Sequence, residues 1–593
     1  MSKVKVPKQA DPQSITITYD LHDLPTAQHR AGLAGLVLQI RLMEKRHAEA
    51  ELKKIPVIER LSKTFAKITF TPESLQAVFD ELYAARVVEA FRKQPDKKSK
   101  NKVLKREEFI TIPNKITGES KQEKRYVYDE IQPTGLLQQH YLDDGEQSPW
   151  LKLWRDMLWN IPRGINTTRA PFIKISSDHP CQEGSQLWDE LCKYEKKIAS
   201  SEFQTSEISG ALLLGAQSVN AEGIGFLGRV EQNLLLHFWQ IVVLTFVPQV
   251  LKRDGKPEAK GYSLCIPDVS DLEAFVDCFP EMLATLSSRK SGFRPTDSLI
   301  EIPVQSNLEF LRYLKTLASG KAERKGWSEA VSAIESFHMI KIGNNIKLLG
   351  HAMVANRPKL VSNYERIQKN YRNPLFRAAL ILSLLYESPW YANLLEVFAE
   401  QPWPFFVEHE QTPRFMPRFG KDARIHFQTL QKDYHNIMTS GITTTTEPET
   451  DRLSRIVYRL VKKYVQDRTL SKLGKKLENY PEIDFKGKLI RKFDNDFHEK
   501  QQKVCSETFL AMRSRHDQEF VSYFAGSICS TVQALKLDDY AFLTQILLRK
   551  SNTNPTGSNP PSWEDVKALA MIACSASAFY TKPNKTQPQG ANS

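Results

Sequence analysis

The sequence has no CxxC pair, no uninterrupted apolar run long enough to cross a bilayer, and fewer acids than bases. Its seven cysteines, at 181, 192, 265, 278, 505, 529 and 574, are scattered and odd in number. Neither a disulfide framework nor a zinc site built on paired thiolates is suggested, so a reduced, cytoplasmic protein is expected. The most apolar run, LLLHFWQIVVLTFVPQVL (234–251), is interrupted by His237, Gln240 and Pro248. It falls short of the ~20 apolar residues a membrane helix needs and reads as a buried core segment, with no membrane partner. The start, MSKVKVPKQADPQS, is basic but carries no apolar stretch, so no secretory signal is read there. Walker, GxSxG and HExxH motifs are absent as well. No cofactor is implied, and no internal repeat is found.

What is present is positive charge. Across 593 residues, 82 Lys and Arg face 69 Asp and Glu, a net charge of +13. An excess of this size favours a polyanionic partner, and with a membrane set aside that partner is nucleic acid. The apolar share of 41% is ordinary for a globular protein and allows sizeable cores.

Periodicity divides the chain. ITITYDL (15–21) alternates like a strand, and 29–54 reads as a helix with Leu33, Leu36, Val37 and Ile40 on one face. A second helix is predicted over 72–94, then a basic connection (Lys93 to Arg106) and strands over 107–115 and 124–131. Irregular alternation of strand-like and helix-like pieces to about 375 predicts an α+β N-terminal region rather than a doubly wound sheet. From 376 to 438 a helical connecting region is expected, and TSGITTTTEPET (439–450) is the linker candidate, polar and aperiodic. Residues 451–593 then read as an all-α helical bundle with a disordered tail. In its first helix Leu453, Ile456, Val457, Leu460 and Tyr464 form an apolar stripe, and Arg452, Arg455, Arg459, Lys462 and Lys463 a basic one.

Two catalytic patterns are weak. GIGFLG (223–228) matches GxGxxG, but no clear strand precedes it and no βαβ unit surrounds it, so a tight turn is the plainer use. His22–Asp23 and His516–Asp517 are His-Asp dipeptides; a metal-dependent HD nuclease would need further ligands, and only His498 offers itself upstream of the second.

Three segments suit nucleic acid better. WNIPRGINTTRAPF (159–172) sets Arg163 and Arg169 around Asn166, Thr167 and Thr168, where guanidinium groups can grip phosphate and amides and hydroxyls fix a backbone. Residues 343–374 carry Asn344, Asn345, Lys347, Asn356, Arg357 and Lys359, then Asn363, Arg366, Lys369, Asn370, Arg372 and Asn373. Asparagine can read adenine edges while neighbouring cations hold phosphates. The loops KRDGKPEAKG (252–261), with Lys252, Arg253, Lys256 and Lys260, and SGKAERKG (319–326) are basic and hairpin-like. An ordinary solvated turn is the competing use of each.

At YDLHDLPTAQHRAGLAGLVL (19–38) the chain resembles the large subunits of type I-B and MYXAN-type CRISPR Cascade complexes. RGINTTRAPF (163–172), GFLGRVEQNLLLHFWQIVVLTFVPQ (225–249) and GYSLCIPDV (261–269) continue the resemblance in the same order. Asn166 stands where such a sequence would carry proline. The resemblance implies a non-catalytic subunit near the guide-RNA handle that recognises the protospacer-adjacent motif on duplex DNA and helps open the strands, base pairing supplying the remaining specificity. It implies as partners guide RNA, double-stranded target DNA and the Cascade backbone subunits, and in relatives that serve RNA-guided transposons a transposition adaptor protein. It also implies that 451–593 is a fused small subunit, with free copies started internally at Met438. The competing expectations are a metal-dependent HD nuclease acting through His516–Asp517 and a free-standing RNA-binding protein.

Overall fold

The computed structural model describes residues 12–46, 54–94, 104–113, 120–134, 170–198, 205–208, 212–214, 226–286, 299–319, 326–342, 345–407, 412, 416–439, 447–485, 488–530, 535–549 and 560–580. The chain forms two compact units, one of 1–249 with 259–357 and one of 250–258 with 358–593.

The first unit is built on strands. β1 (Ile15–Asp20) and β2 (Val57–Leu61) flank β3 (Phe65–Phe70), with α1 (Ala27–Arg46) between β1 and β2 in sequence. Ile15, Ile17 and Tyr19 are buried on alternate positions of β1, the period the sequence shows. α1 is enclosed nearly all round: Leu33, Leu36, Val37 and Ile40 are fully buried, each contributing about 1.5–3 kcal/mol of apolar transfer. α2 (Pro72–Leu82) opens on a Thr71–Ser74 capping box. It ends twelve residues before the predicted end at 94, and β4 (Ala85–Arg92) takes its place, paired with β6 (Ser120–Pro133), which also pairs with β5 (Leu104–Pro113). The β-branched pair Val87–Val88 suits a strand, and Val87, expected on a buried helix face, is 51% exposed.

Helices α3 (Ala170–Ile175) and α4 (Glu183–Ile198) lead to the short ladder of β7 (Thr205–Glu207) with β8 (Leu227–Arg229), then α5 (Val230–Leu235). Of the GxGxxG match, 223–225 lie outside the described residues and Gly228 sits in β8. A Cβ there would meet the Asn233 side chain at 2.2 Å, so close packing accounts for this glycine.

The main sheet runs β10–β9–β11–β13–β14, from β9 (Leu244–Leu251), β10 (Pro257–Ala259), β11 (Tyr262–Val269), β13 (Val331–Ile342) and β14 (Asn345–Ala355). α6 (Leu272–Thr285), β12 (Leu299–Ile300) and α7 (Gln305–Ala318) fall between β11 and β13 in sequence, and β12 pairs with β9. The apolar run 234–251 lies at the heart of this unit: Leu234, Leu235, Phe238, Trp239, Val242, Leu244 and Phe246 are fully buried. The neighbouring strands of this sheet are antiparallel, with β12 on β9 the one parallel pair among the described residues, as an α+β region requires.

The second unit is helical: α8 (Pro358–Asn370), α9 (Pro374–Leu385), α10 (Leu394–Glu400), α11 (Phe419–Thr439), α12 (Glu449–Leu473), α13 (Asn495–Arg513), α14 (Asp517–Tyr523), α15 (Leu537–Leu548) and α16 (Trp563–Ala578). It is not all-α: β15 (Glu482–Phe485), whose charged and apolar residues alternate, and β16 (Lys488–Arg491) form a hairpin in which Ile483 is opposite Ile490 in the ladder. Helix begins at 358 rather than 376, because Leu360, Val361 and Tyr364 bury one face of a segment whose asparagines read as loop. The apolar stripe of α12 is buried as its spacing requires, with Leu453, Ile456, Val457 and Leu460 fully buried. One hydrophobic core unites residues on both sides of 439–450, from Tyr371, Phe376, Phe419 and Phe427 to Phe509, Leu569 and Ala578. α16 is its axis, and at Gly420 the backbones of α11 and α16 come so close that a Cβ would lie 2.2 Å from the Ser575 carbonyl oxygen. No described helix is long and apolar enough to cross a membrane.

Candidate nucleic-acid interface

Arg163, Asn166, Thr168 and Arg169 lie outside the described residues, as does Asn344; Asn345 opens β14 with its side chain undescribed. The remaining basic positions sort by whether a carboxylate already holds them.

The 252–260 hairpin follows from its turn chemistry. Gly255 takes φ of +80°, and Asp254 Oδ1 accepts the Lys256 N–H at 3.0 Å. The Lys252 N–H donates to the Lys256 carbonyl at 2.9 Å, closing the turn. Lys252, Arg253, Lys256 and Lys260 are all exposed. Lys252 lies 3.2 Å from Glu258 and Lys256 3.7 Å from Asp254, exposed pairs that hold their partners weakly. Lys347 is exposed on β14. Asn356 is spent internally: its Nδ2 donates to the carbonyls of Ser328 and Val331 at 2.5 and 3.0 Å, which occupies the donor a bidentate adenine contact requires. Asn373 is likewise structural, fully buried and accepting the Phe376 N–H at the start of α9.

The basic residues of α12 do not stand as an open stripe. Arg452 and Arg459 converge on Asp539 of α15 at 3.2 and 2.7 Å, and Arg452 also lies 4.5 Å over the Phe542 ring. Against a burial that would raise it, these hydrogen bonds hold the Asp539 carboxyl below its ordinary pKa. Arg455 grips Glu447 through two bonds of 3.1 and 2.8 Å and lies 4.2 Å over the Tyr434 ring, its side chain only 14% exposed. The Glu447 hydrogen bonds raise its pKa further. Lys462 is exposed, although desolvation of its ammonium and the nearby Arg424 lower its pKa, and Lys463 pairs within α12 with Asp467 at 2.7 Å. Of the expected solvent- or phosphate-facing stripe, Lys462 stays exposed while the arginines are engaged, Arg452 and Arg459 with α15 and Arg455 with Glu447 and Tyr434. The same holds on β4, β5 and β6, where Lys105 and Arg106 meet Glu89 at 3.0 and 2.7 Å, and Lys93 meets Glu123 at 3.5 Å.

α8 differs. Lys359, Arg366, Lys369 and Arg372 are exposed, and among the described residues no carboxylate lies within 4 Å of any of them. All four belong to the 343–374 segment marked by its cations and asparagines; the i, i+7 and i+10 spacing of Lys359, Arg366 and Lys369 is the signal that joins them once the segment is helical.

The His-Asp pairs hold no metal constellation. His22 sits in a short turn whose N–H is capped by Asp20 at 2.9 Å. His516 precedes α14, and His498 is stacked on Tyr580 with ring centroids 3.6 Å apart, burial pushing its pKa down. Among the described residues no group of three His, Cys, Asp or Glu is placed to hold a metal ion. All seven cysteines are buried and unpaired, and burial pushes the thiol of Cys265 up to about 12.

No curated protein matches the chain significantly. Two family models do: the type I-B CRISPR Cas8b N-terminal domain over residues 55–324 and the type I-B CRISPR Cas8b C-terminal domain over 331–577. The first begins after the 19–38 segment, and the second carries the likeness through the helical unit, beyond the motifs legible in the first 270 residues. Together they span most of the chain, which therefore belongs to the type I-B CRISPR Cas8b family, the large subunit of the Cascade complex.

Proposed function

We propose that this large subunit is non-catalytic, holds guide RNA, recognises a short protospacer-adjacent motif on duplex DNA and promotes opening of the strands there. Membership of the Cas8b family over both matched spans carries the reading. Positive charge supports it, since a +13 chain attracts a polyanion. Arg163 and Arg169, with Asn166 and Thr168 between them, are assigned to the guide-RNA backbone, and the exposed 252–260 hairpin and Lys347 to the DNA duplex. Base pairing in the guide then supplies the remaining specificity.

The test is co-purification. The tagged chain expressed with its neighbouring subunits should retain RNA of one defined length in stoichiometric amount. The Arg163→Ala/Arg169→Ala variant should lose most of that RNA at moderate salt, each lost charge-assisted contact costing about 1–3 kcal/mol. Heterogeneous RNA without stoichiometric partners would refute the Cascade role. Divalent-metal-dependent cleavage by the isolated chain, abolished by His516→Ala, would replace it with the nuclease reading.

A further inference from the structure

The exposed face of α8 has a chemistry that internal packing does not use. At about 100° per residue, Lys359, Asn363, Arg366 and Asn370 fall within an arc of roughly 60°, with Lys369 on its flank. Leu360, Val361 and Tyr364 occupy the opposite side and are buried, so the basic face points outward by construction. α8 carries one carboxylate, Glu365, and none in its first turn. α12, α14, α15 and α16 all begin with two acids, which offset the positive end of the helix dipole. At the start of α8 that end adds to Lys359 instead.

We propose that this face is a binding site for a nucleic-acid phosphodiester backbone, engaged without regard to base sequence. The inference rests on the reading of the chain as a nucleic-acid-binding subunit and names a surface that reading does not assign. From Lys359 to Asn370 the face runs about 16 Å at 1.5 Å per residue. That length spans roughly four to five phosphates of one strand at 3.4 Å of axis per phosphate. Lys359, Arg366 and Lys369 meet the ligand first, because their side chains reach further than those of Asn363 and Asn370. The asparagines then donate to phosphate or sugar oxygens between the cations. Arg372, exposed just past the helix end, extends the track. Its neutral neighbour Asn373 and the buried Asp422, which accepts the N–H groups of Arg372 and Asn373 at 2.6 Å each, fix the backbone there and leave the guanidinium outside.

The experiment is a salt titration of binding by the full-length chain, using a random-sequence DNA duplex and, separately, its guide RNA. The triple variant Lys359→Ala/Arg366→Ala/Lys369→Ala should bind more weakly on every sequence. The slope of log K against log salt should flatten by about one per lost contact, two to three in all. The charge-keeping variant Lys359→Arg/Arg366→Lys/Lys369→Arg should keep the wild-type slope. Flattening on the duplex alone assigns the face to DNA, and flattening on guide RNA assigns it to that strand; either supports the site. Wild-type slopes on both ligands in the triple variant would overturn the site alone. A wild-type chain that binds neither ligand at low salt would overturn the nucleic-acid reading with it.

Discussion

Lowering the pH from 7.5 to 5 should destabilise this protein through histidines that are buried neutral. His237 packs between Phe79 and Phe238, with ring centroids 5.0 and 6.5 Å away, and burial lowers its pKa from 6.5 to about 4. A histidine whose folded pKa is depressed contributes stability that is present above 6.5 and is lost as pH falls toward 4, since the unfolded chain takes up the proton first. At pH 5 the unfolded state is almost fully protonated there and the folded state about one-tenth so, a loss of about 2 kcal/mol; the full span of 2.5 pKa units is worth about 3.4 kcal/mol. His29 and His426 are lowered to about 4 as well, both by burial first. Set against a typical 5–15 kcal/mol of stability, three such groups make the loss severe. The variant His237→Phe keeps an aromatic ring in the cluster and removes the titration. Among the described residues the side-chain bond it forfeits is a long one, 3.5 Å from the Tyr83 hydroxyl. Urea unfolding of both proteins at half-unit steps from pH 7.5 to 5 should show the variant's stability falling less, by about 2 kcal/mol over that range. Parallel pH curves would refute the assignment of His237 as neutral and buried.

Two further outcomes concern the helical unit. Gly420→Ala should cost about 3 kcal/mol, the upper end for overpacking, because the obstruction is the Ser575 carbonyl of a neighbouring helix; Gly526→Ala, with nothing within 4 Å of its Cβ, should change the melting temperature little. A 438–593 fragment started at Met438 should fail to unfold cooperatively, since it lacks Phe376, Phe419 and Phe427 of the common core; a cooperative melt by the isolated fragment would show that a free copy can exist.

Local patterns in the sequence told most where they extended over many turns. α12 runs 25 residues, and its apolar stripe was readable residue by residue. The fate of its arginines was not, because Asp539 lies 80 and 87 residues away from Arg459 and Arg452 and nothing local announces the meeting. At β4 the sequence predicts helix, because Val87 fits either period over a short window. The choice was made by β6, whose Tyr126–Pro133 ladder pairs with it from some forty residues downstream. α8 was masked by asparagine, a poor helix former that packing overrides, although Leu360, Val361, Tyr364 and Ile367 already had helical spacing.

The same contrast decides how the charge excess should be read. A surplus of 82 cations over 69 acids gives the class of partner but no address, because most cations in a folded chain are consumed by its own acids. The address comes from pairing. Arg452, Arg455 and Arg459 stand in a helical basic stripe, yet each is tied to Asp539 or Glu447. To engage a phosphate, each would have to give up a hydrogen-bonded carboxylate that is 10% or 15% exposed, leaving that acid uncompensated, a cost of several kcal/mol. Among the described residues, Lys359, Arg366 and Lys369 have no paired carboxylate to give up. A phosphate backbone arriving at this unit therefore gains more at the sparser stripe on α8 than at the richer one on α12.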